Sequence, residues 1–91
     1  MSVQWLFDVI QSRKENPSEK SYTSSLFAGG LPKIAQKVGE EGTDVVVAAL
    51  VQEDQRLIEE VADLTYHTLV LLAARGLTPA DVVAELEKRH K

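Results

Sequence analysis

The chain has 91 residues, a formal net charge of −4, no cysteine, and aromatic side chains at only 5% of its positions. This length predicts one domain, residues 1–91, and the missing cysteines exclude disulfides and thiolate metal sites. The acidity argues against nucleic-acid binding, and no segment is typical of a secretion signal or a membrane span, so we expect a cytoplasmic protein that binds no membrane.

A first helix is predicted for residues 2–15, ending before Pro17. Its apolar positions recur at helical spacing and are Trp5, Leu6, Val9 and Ile10. Residues 16–30 begin polar and turn-prone and end on two glycines, so an irregular loop with at most one short turn of helix is expected. A loop of this length in a small domain is often functional.

Three longer helices are predicted after this loop. The second covers residues 32–51 and starts near a proline, which the first turn of a helix tolerates. The third covers residues 54–75 and ends at Gly76, a typical C-terminal cap. The fourth opens at Thr78, with Asp81 three residues later, and runs to the end of the chain. The expected fold is all-α, a small bundle of about four helices.

The middle of the third helix is apolar nearly all round. Between Val61 and Ala74, Asp63 is the only carboxylate. Such a helix must be covered on almost every side, which three other helices of so short a chain can hardly achieve. We therefore expect dimerisation to complete the core, giving a homodimer or a higher even-numbered oligomer. The alternative is a monomer with an exposed apolar patch.

Two acids interrupt apolar stripes on the second and third helices. Glu41 lies among Ile34, Val38, Val45 and Ala48, and Glu60 lies among Leu57, Leu64 and Leu71. Asp44 and Asp63 each follow three residues later, beside the first acid of their helix. Buried, unpaired carboxylates are costly, whereas Mg²⁺ prefers oxygen ligands and helix bundles hold such ions between facing helices. The pattern predicts Mg²⁺ ligands at Glu41, Asp44, Glu60 and Asp63; the alternative is four solvated acids.

The sequence around these acids resembles a known family. Residues 40–44, EEGTD, followed by residues 60–63, EVAD, look like the E-E-x-x-E…E-x-x-D signature of the MazG-type nucleotide pyrophosphohydrolases. The segments SYT at 21–23, KVGEE at 37–41 and EEVADLTYH at 59–67 resemble phosphoribosyl-ATP pyrophosphohydrolases, and the resemblance extends over nearly the whole chain. The family usually has Glu where this chain has Asp44, which is one methylene shorter and would ligate through a water.

This resemblance implies a dimeric, all-α, Mg²⁺-dependent enzyme of histidine biosynthesis. It implies cleavage between the α and β phosphorus atoms of phosphoribosyl-ATP, giving phosphoribosyl-AMP and pyrophosphate, with the four acids as metal ligands. Glu40 and Glu41 are the candidate catalytic residues, and Glu40 is expected to orient the attacking water. The candidate substrate-binding residues are Lys33, Lys37, Tyr22 and Thr23.

Other interpretations stay open at the level of sequence. The same metal site would serve an enzyme acting on ordinary or damaged nucleoside triphosphates, and a non-catalytic helical dimerisation module is the alternative from another class. The next enzyme of the pathway, fused to this domain in some family members, is a candidate partner. His67, one turn after Asp63, is expected to be a hydrogen-bonded core histidine, because Mg²⁺ prefers oxygen.

Overall fold

The structure, a computed structural model, describes residues 1–90 and contains five α-helices there. The helices are α1 (Val3–Glu15), α2 (Tyr22–Gly29), α3 (Leu31–Val51), α4 (Asp54–Ala74) and α5 (Pro79–Arg89). Residues 1–90 include no strand, so the predicted all-α class is confirmed. None of the helices in this range is long and apolar enough to cross a membrane.

The C-terminal end of α4 and the N-terminal end of α5 carry the capping residues that the sequence analysis identified. Gly76 has a φ of 71°, in the left-handed region that favours glycine, and the Leu77 N–H donates to the Leu72 carbonyl at 2.8 Å. At the start of α5, the Thr78 hydroxyl accepts from the Asp81 N–H while the Asp81 carboxylate accepts from the Thr78 N–H. These local bonds set both helix ends without help from the rest of the fold.

The prediction of an irregular loop over residues 16–30 was wrong in its second half, where α2 forms. The Ser21 hydroxyl caps this helix by accepting from the Ser24 N–H at 3.1 Å. The Ser24 hydroxyl in turn donates to the Arg13 carbonyl on α1 at 3.2 Å. Leu26 is 1% exposed and lies in the core. A fifth helix therefore forms because a cap and tertiary burial stabilise a segment with weak helical propensity.

The core lies where α1 and α2 pack against an antiparallel pair formed by α3 and α4. A two-residue connection, residues 52–53, joins this pair. The buried apolar cluster consists of Phe7, Ile10, Leu26, Ile34, Leu69, Val70 and Ala73. The core thus takes in the start of α3 and the end of α4, whereas the end of α3 and the start of α4 leave apolar side chains exposed.

Two groups of apolar side chains remain exposed. We call the first the hairpin-end patch; it lies near the α3–α4 connection and consists of Val46, Val47, Leu50, Val51, Ile58 and Val61. The second lies on and near α5 and includes Val3, Leu77, Val82, Val83 and Leu86. Helix α5 packs on α1 and has no buried residue. The exposed groups agree with the expected need for further cover, and the homodimer itself stays a prediction.

Candidate metal centre

The two acids predicted to interrupt apolar stripes are buried on facing helices. Glu41 on α3 is 7% exposed and Glu60 on α4 is 8% exposed. Asp63, one turn after Glu60, is exposed but points to the same place. One carboxylate oxygen from each of Glu41, Glu60 and Asp63 lies within 4.8 Å of the others. We call these three residues the acidic cluster.

Each buried acid is paired with a cation one turn earlier on its own helix. The Lys37 Nζ lies 3.3 Å from a Glu41 oxygen, and the Arg56 guanidinium contacts the Glu60 carboxylate. These pairs compensate the cost of burying two like charges close together. Arg56 was missed in the sequence, where its only signal is an i, i+4 spacing to Glu60. Both cations are partly exposed and lie outside the apolar core.

Glu40 lies next to the acidic cluster with its carboxylate exposed. The Gln36 amide donates to one oxygen at 2.8 Å, and Lys37 lies 3.3 Å from the other. The hydrogen bond from Gln36, followed by the one from Lys37, lowers the pKa of Glu40 below its ordinary value. Glu40 therefore stays ionised at neutral pH and can accept a hydrogen bond from a water beside the cluster.

Asp44 and Lys33, two of the predicted site residues, are exposed and lie outside the acidic cluster. Asp44 follows Glu41 by three residues, as Asp63 follows Glu60, so spacing and side-chain length do not explain its exclusion; the way α3 and α4 face each other does. Lys33 is also exposed, and its aliphatic chain lies against Gly29, since a Cβ added there would come within 2.9 Å of the Lys33 Cδ. The structure thus brings together three of the four predicted metal ligands.

Tyr22 and Thr23, at the start of α2, are attached to α4 beside the acidic cluster. The Tyr22 hydroxyl lies 3.0 Å from the His67 Nε2, and the Thr23 hydroxyl is hydrogen-bonded to that of Tyr66. The His67 Nδ1 lies 2.8 Å from the Asp63 carbonyl oxygen. His67 is 5% exposed, so the prediction of a hydrogen-bonded core histidine is confirmed.

Comparison with known proteins gives consistent matches over nearly the whole chain. A family model described as phosphoribosyl-ATP pyrophosphohydrolase matches residues 3–90. A phosphoribosyl-ATP pyrophosphatase of Pyrobaculum calidifontis is 51% identical over 86 residues, covering 94% of this chain and 92% of the relative. One of Listeria welshimeri is 54% identical over 85 residues, covering 93% and 82%. The histidine biosynthesis bifunctional protein HisIE of Xylella fastidiosa is 52% identical over 83 residues, covering 91% of this chain and 40% of that longer protein.

Proposed function

The chain belongs to the phosphoribosyl-ATP pyrophosphohydrolase family, a family of hydrolases, and from this we propose that it hydrolyses phosphoribosyl-ATP with Mg²⁺. The bond broken joins the α and β phosphorus atoms. Water supplies the oxygen and the protons that complete the two products, phosphoribosyl-AMP and pyrophosphate. The reaction belongs to histidine biosynthesis, in agreement with the name of the bifunctional relative.

The acidic cluster is the observation that supports the metal dependence. Its three carboxylate oxygens, within 4.8 Å of one another, are the donors that Mg²⁺ prefers. His67 uses both ring nitrogens in other hydrogen bonds, which leaves oxygen donors alone in the cluster. The residues present therefore fit Mg²⁺, with Asp44 contributing only through a water. When bound, Mg²⁺ would neutralise phosphate charge and activate water.

The side chains around the cluster suit the handling of a polyphosphate. Glu40, whose ionised carboxylate is held by Gln36 and Lys37, is assigned to orient the attacking water by accepting a hydrogen bond from it. Lys37 is assigned to contact phosphate oxygens, because it already lies between Glu40 and Glu41. Lys33, one turn earlier and exposed, is assigned to the same role at the edge of the site.

The first experiment is to measure pyrophosphate release from phosphoribosyl-ATP with and without Mg²⁺, alongside a panel of nucleoside triphosphates. Mg²⁺-dependent release from phosphoribosyl-ATP alone would support both substrate and metal. Release from the triphosphates alone would keep the acidic cluster and overturn the substrate. No release from any compound would favour a non-catalytic helical module.

A matched pair of variants tests the role of the acidic cluster. Glu60→Gln keeps the shape of a buried ligand but removes its charge, so turnover should fall by at least about 100-fold. Glu59→Gln removes the neighbouring exposed charge, which also contacts Arg56, and should leave turnover within about twofold, as for other surface substitutions. Near-normal turnover of Glu60→Gln at saturating Mg²⁺ would refute the assignment.

We also propose that the protein is a homodimer formed through the hairpin-end patch. Leu50 and Val51 are 77% and 75% exposed, an unfavourable state for adjacent apolar side chains. Two copies of the same patch can pair by a twofold axis. Leu50→Glu should yield a monomer in light scattering coupled to gel filtration, whereas the matched control Gln52→Glu should stay dimeric. A wild-type monomer at every concentration would contradict this interface.

The longer bifunctional relative indicates a candidate protein partner. Its name assigns it two activities in histidine biosynthesis, and this chain corresponds to 40% of its length. We therefore propose the enzyme of the adjacent step as a partner, to be tested by co-elution of the two separately expressed proteins. Independent elution at high concentration would contradict it.

A further inference from the structure

We propose that His67 is a positioning residue for substrate binding, which holds the Tyr22 hydroxyl so that its oxygen accepts hydrogen bonds at the edge of the acidic cluster. The proposal rests on the proposed function, because it concerns how the same site receives its nucleotide substrate. It adds a chemical preference to the start of α2: Tyr22 selects groups that donate, such as sugar hydroxyls or an amino group, rather than ionised phosphate oxygens.

The hydrogen bonds of His67 fix which of its nitrogens carries the proton. The Nδ1 lies 2.8 Å from the Asp63 carbonyl oxygen, and a carbonyl only accepts, so the Nδ1 donates. In the neutral ring the Nε2 is then an acceptor. The Tyr22 hydroxyl, 3.0 Å from the Nε2, must therefore donate its hydrogen to His67. The backbone carbonyl of Asp63 thereby selects the His67 tautomer, and that tautomer sets the direction of the Tyr22 O–H bond.

The Tyr22 side chain is held firmly and is still accessible. Its ring stacks on that of Tyr66 with centroids 6.3 Å apart and 25° between the planes, while His67 meets it edge-on at 5.9 Å. The neighbouring Thr23–Tyr66 hydrogen bond fixes the same turn of α2 against α4. Tyr22 is nevertheless 52% exposed. Because its hydrogen is committed to His67, the oxygen presents lone pairs to whatever binds there.

Tyr22 begins α2, which packs on α3, the helix that carries Lys37. Burial by itself lowers the pKa of Lys37, but its hydrogen bonds to Glu41 and Glu40, together with nearby Tyr22, raise it on balance. Lys37 and Tyr22 thus form adjacent parts of the site on α3 and α2. The lysine suits phosphate oxygens, and the tyrosine suits the donor groups of the sugar or base joined to them.

Two substitutions of His67 separate its two hydrogen bonds. His67→Gln places an acceptor near the position of the Nε2 and keeps a partner for Tyr22. His67→Asn places a donor near the position of the Nδ1 and keeps the bond to the Asp63 carbonyl, but it leaves Tyr22 without its acceptor. Tyr22→Phe removes the hydroxyl itself. Thermal melts of all three variants check that the fold is retained.

Steady-state kinetics with phosphoribosyl-ATP provides the first test. We expect His67→Asn and Tyr22→Phe each to raise KM by about tenfold, the effect of losing one hydrogen bond to substrate, with kcat changed less than about threefold. His67→Gln should stay within about threefold of wild type in KM, and the double variant His67→Asn/Tyr22→Phe should be no worse than either single change, as expected for residues acting through one contact.

The second readout needs neither metal nor turnover. In ¹⁵N NMR spectra of the wild-type protein, the His67 signals, identified by their loss in His67→Gln, should report a protonated Nδ1 and an acceptor Nε2 that shifts in Tyr22→Phe. A protonated Nε2 would overturn the proposal. Activity of the wild type tests the proposed function separately: with an active wild type, equal KM values in His67→Asn and His67→Gln would overturn the role of His67 alone.

Discussion

Binding of Mg²⁺ to the acidic cluster should raise the thermal stability of the protein. Glu41 and Glu60 are both buried, with carboxylate oxygens within 4.8 Å of each other. At that distance two negative charges repel by about 3.5 kcal/mol at an effective dielectric constant of 20. Lys37 and Arg56 offset part of this repulsion from the protein side. A divalent cation shared by the acids would relieve more of it, and only the folded chain brings them together.

The size of the effect follows from mass action. At a Mg²⁺ concentration 100 times the Kd, binding to the folded state alone contributes about 2.7 kcal/mol. In a domain of this length each kcal/mol raises Tm by about 4–8 °C, so the expected shift is about 10–20 °C. Such a shift is well above the error of a circular dichroism or dye-based melt.

The assay compares melts in Mg²⁺ with melts in NaCl of matched ionic strength, so that general screening is subtracted. Glu60→Gln should lose most of the Mg²⁺-specific shift, whereas Glu59→Gln, whose charge lies outside the acidic cluster, should keep it. If Glu60→Gln melted with the same Mg²⁺-induced shift as the wild type, the ion would bind elsewhere and the reasoning would fail.

Three further predictions concern the fold. Leu26→Ala should cost about 2–5 kcal/mol in urea unfolding, because Leu26 is 1% exposed and attaches α2 to the core; a loss under 1 kcal/mol would mean that α2 is not firmly packed. Thr78→Ala should cost about 1 kcal/mol locally and speed amide hydrogen exchange in α5; unchanged exchange would contradict the capping role. Burial raises the pKa of Tyr66 above its ordinary value of 10.0, although the hydrogen bond with Thr23 partly lowers it. The contribution of Tyr66 to stability is therefore present below pH 10 and is lost as pH rises through the folded-state pKa. The absorbance at 295 nm lost in Tyr66→Phe, measured as wild type minus variant, should titrate above pH 10; a step at or below pH 10 would refute it.

The buried acids were predictable from sequence because helical periodicity places residues on a face without knowledge of the partner helix. The stripe of Ile34, Glu41 and Ala48 is buried as predicted, and Glu60 is buried on α4. Asp63, predicted to lie beside Glu60, belongs to the acidic cluster. Asp44, predicted by the same spacing to lie beside Glu41, does not belong to it. Equal spacing gave unequal results because convergence depends on how α3 and α4 are rotated towards each other, which periodicity does not contain.

The helix ends likewise separate what local sequence predicts from what depends on tertiary packing. Gly76 and the Thr78–Asp81 capping box act through hydrogen bonds between residues close together in the sequence. The local sequence was therefore sufficient to predict where α4 ends and α5 begins. Helix α2 was missed because its residues have weak helical propensity, and its stability comes from burying Leu26 against other helices.

The sequence by itself determined the all-α class, four of the five helices and the acidic faces of α3 and α4, because each depends on residues close together in the chain. Only the tertiary structure decided that Tyr22 meets His67, 45 positions away, and that both lie beside the acidic cluster. Contacts of this kind depend on the packing of α2 against α4, which many sequences with the same local pattern could arrange differently.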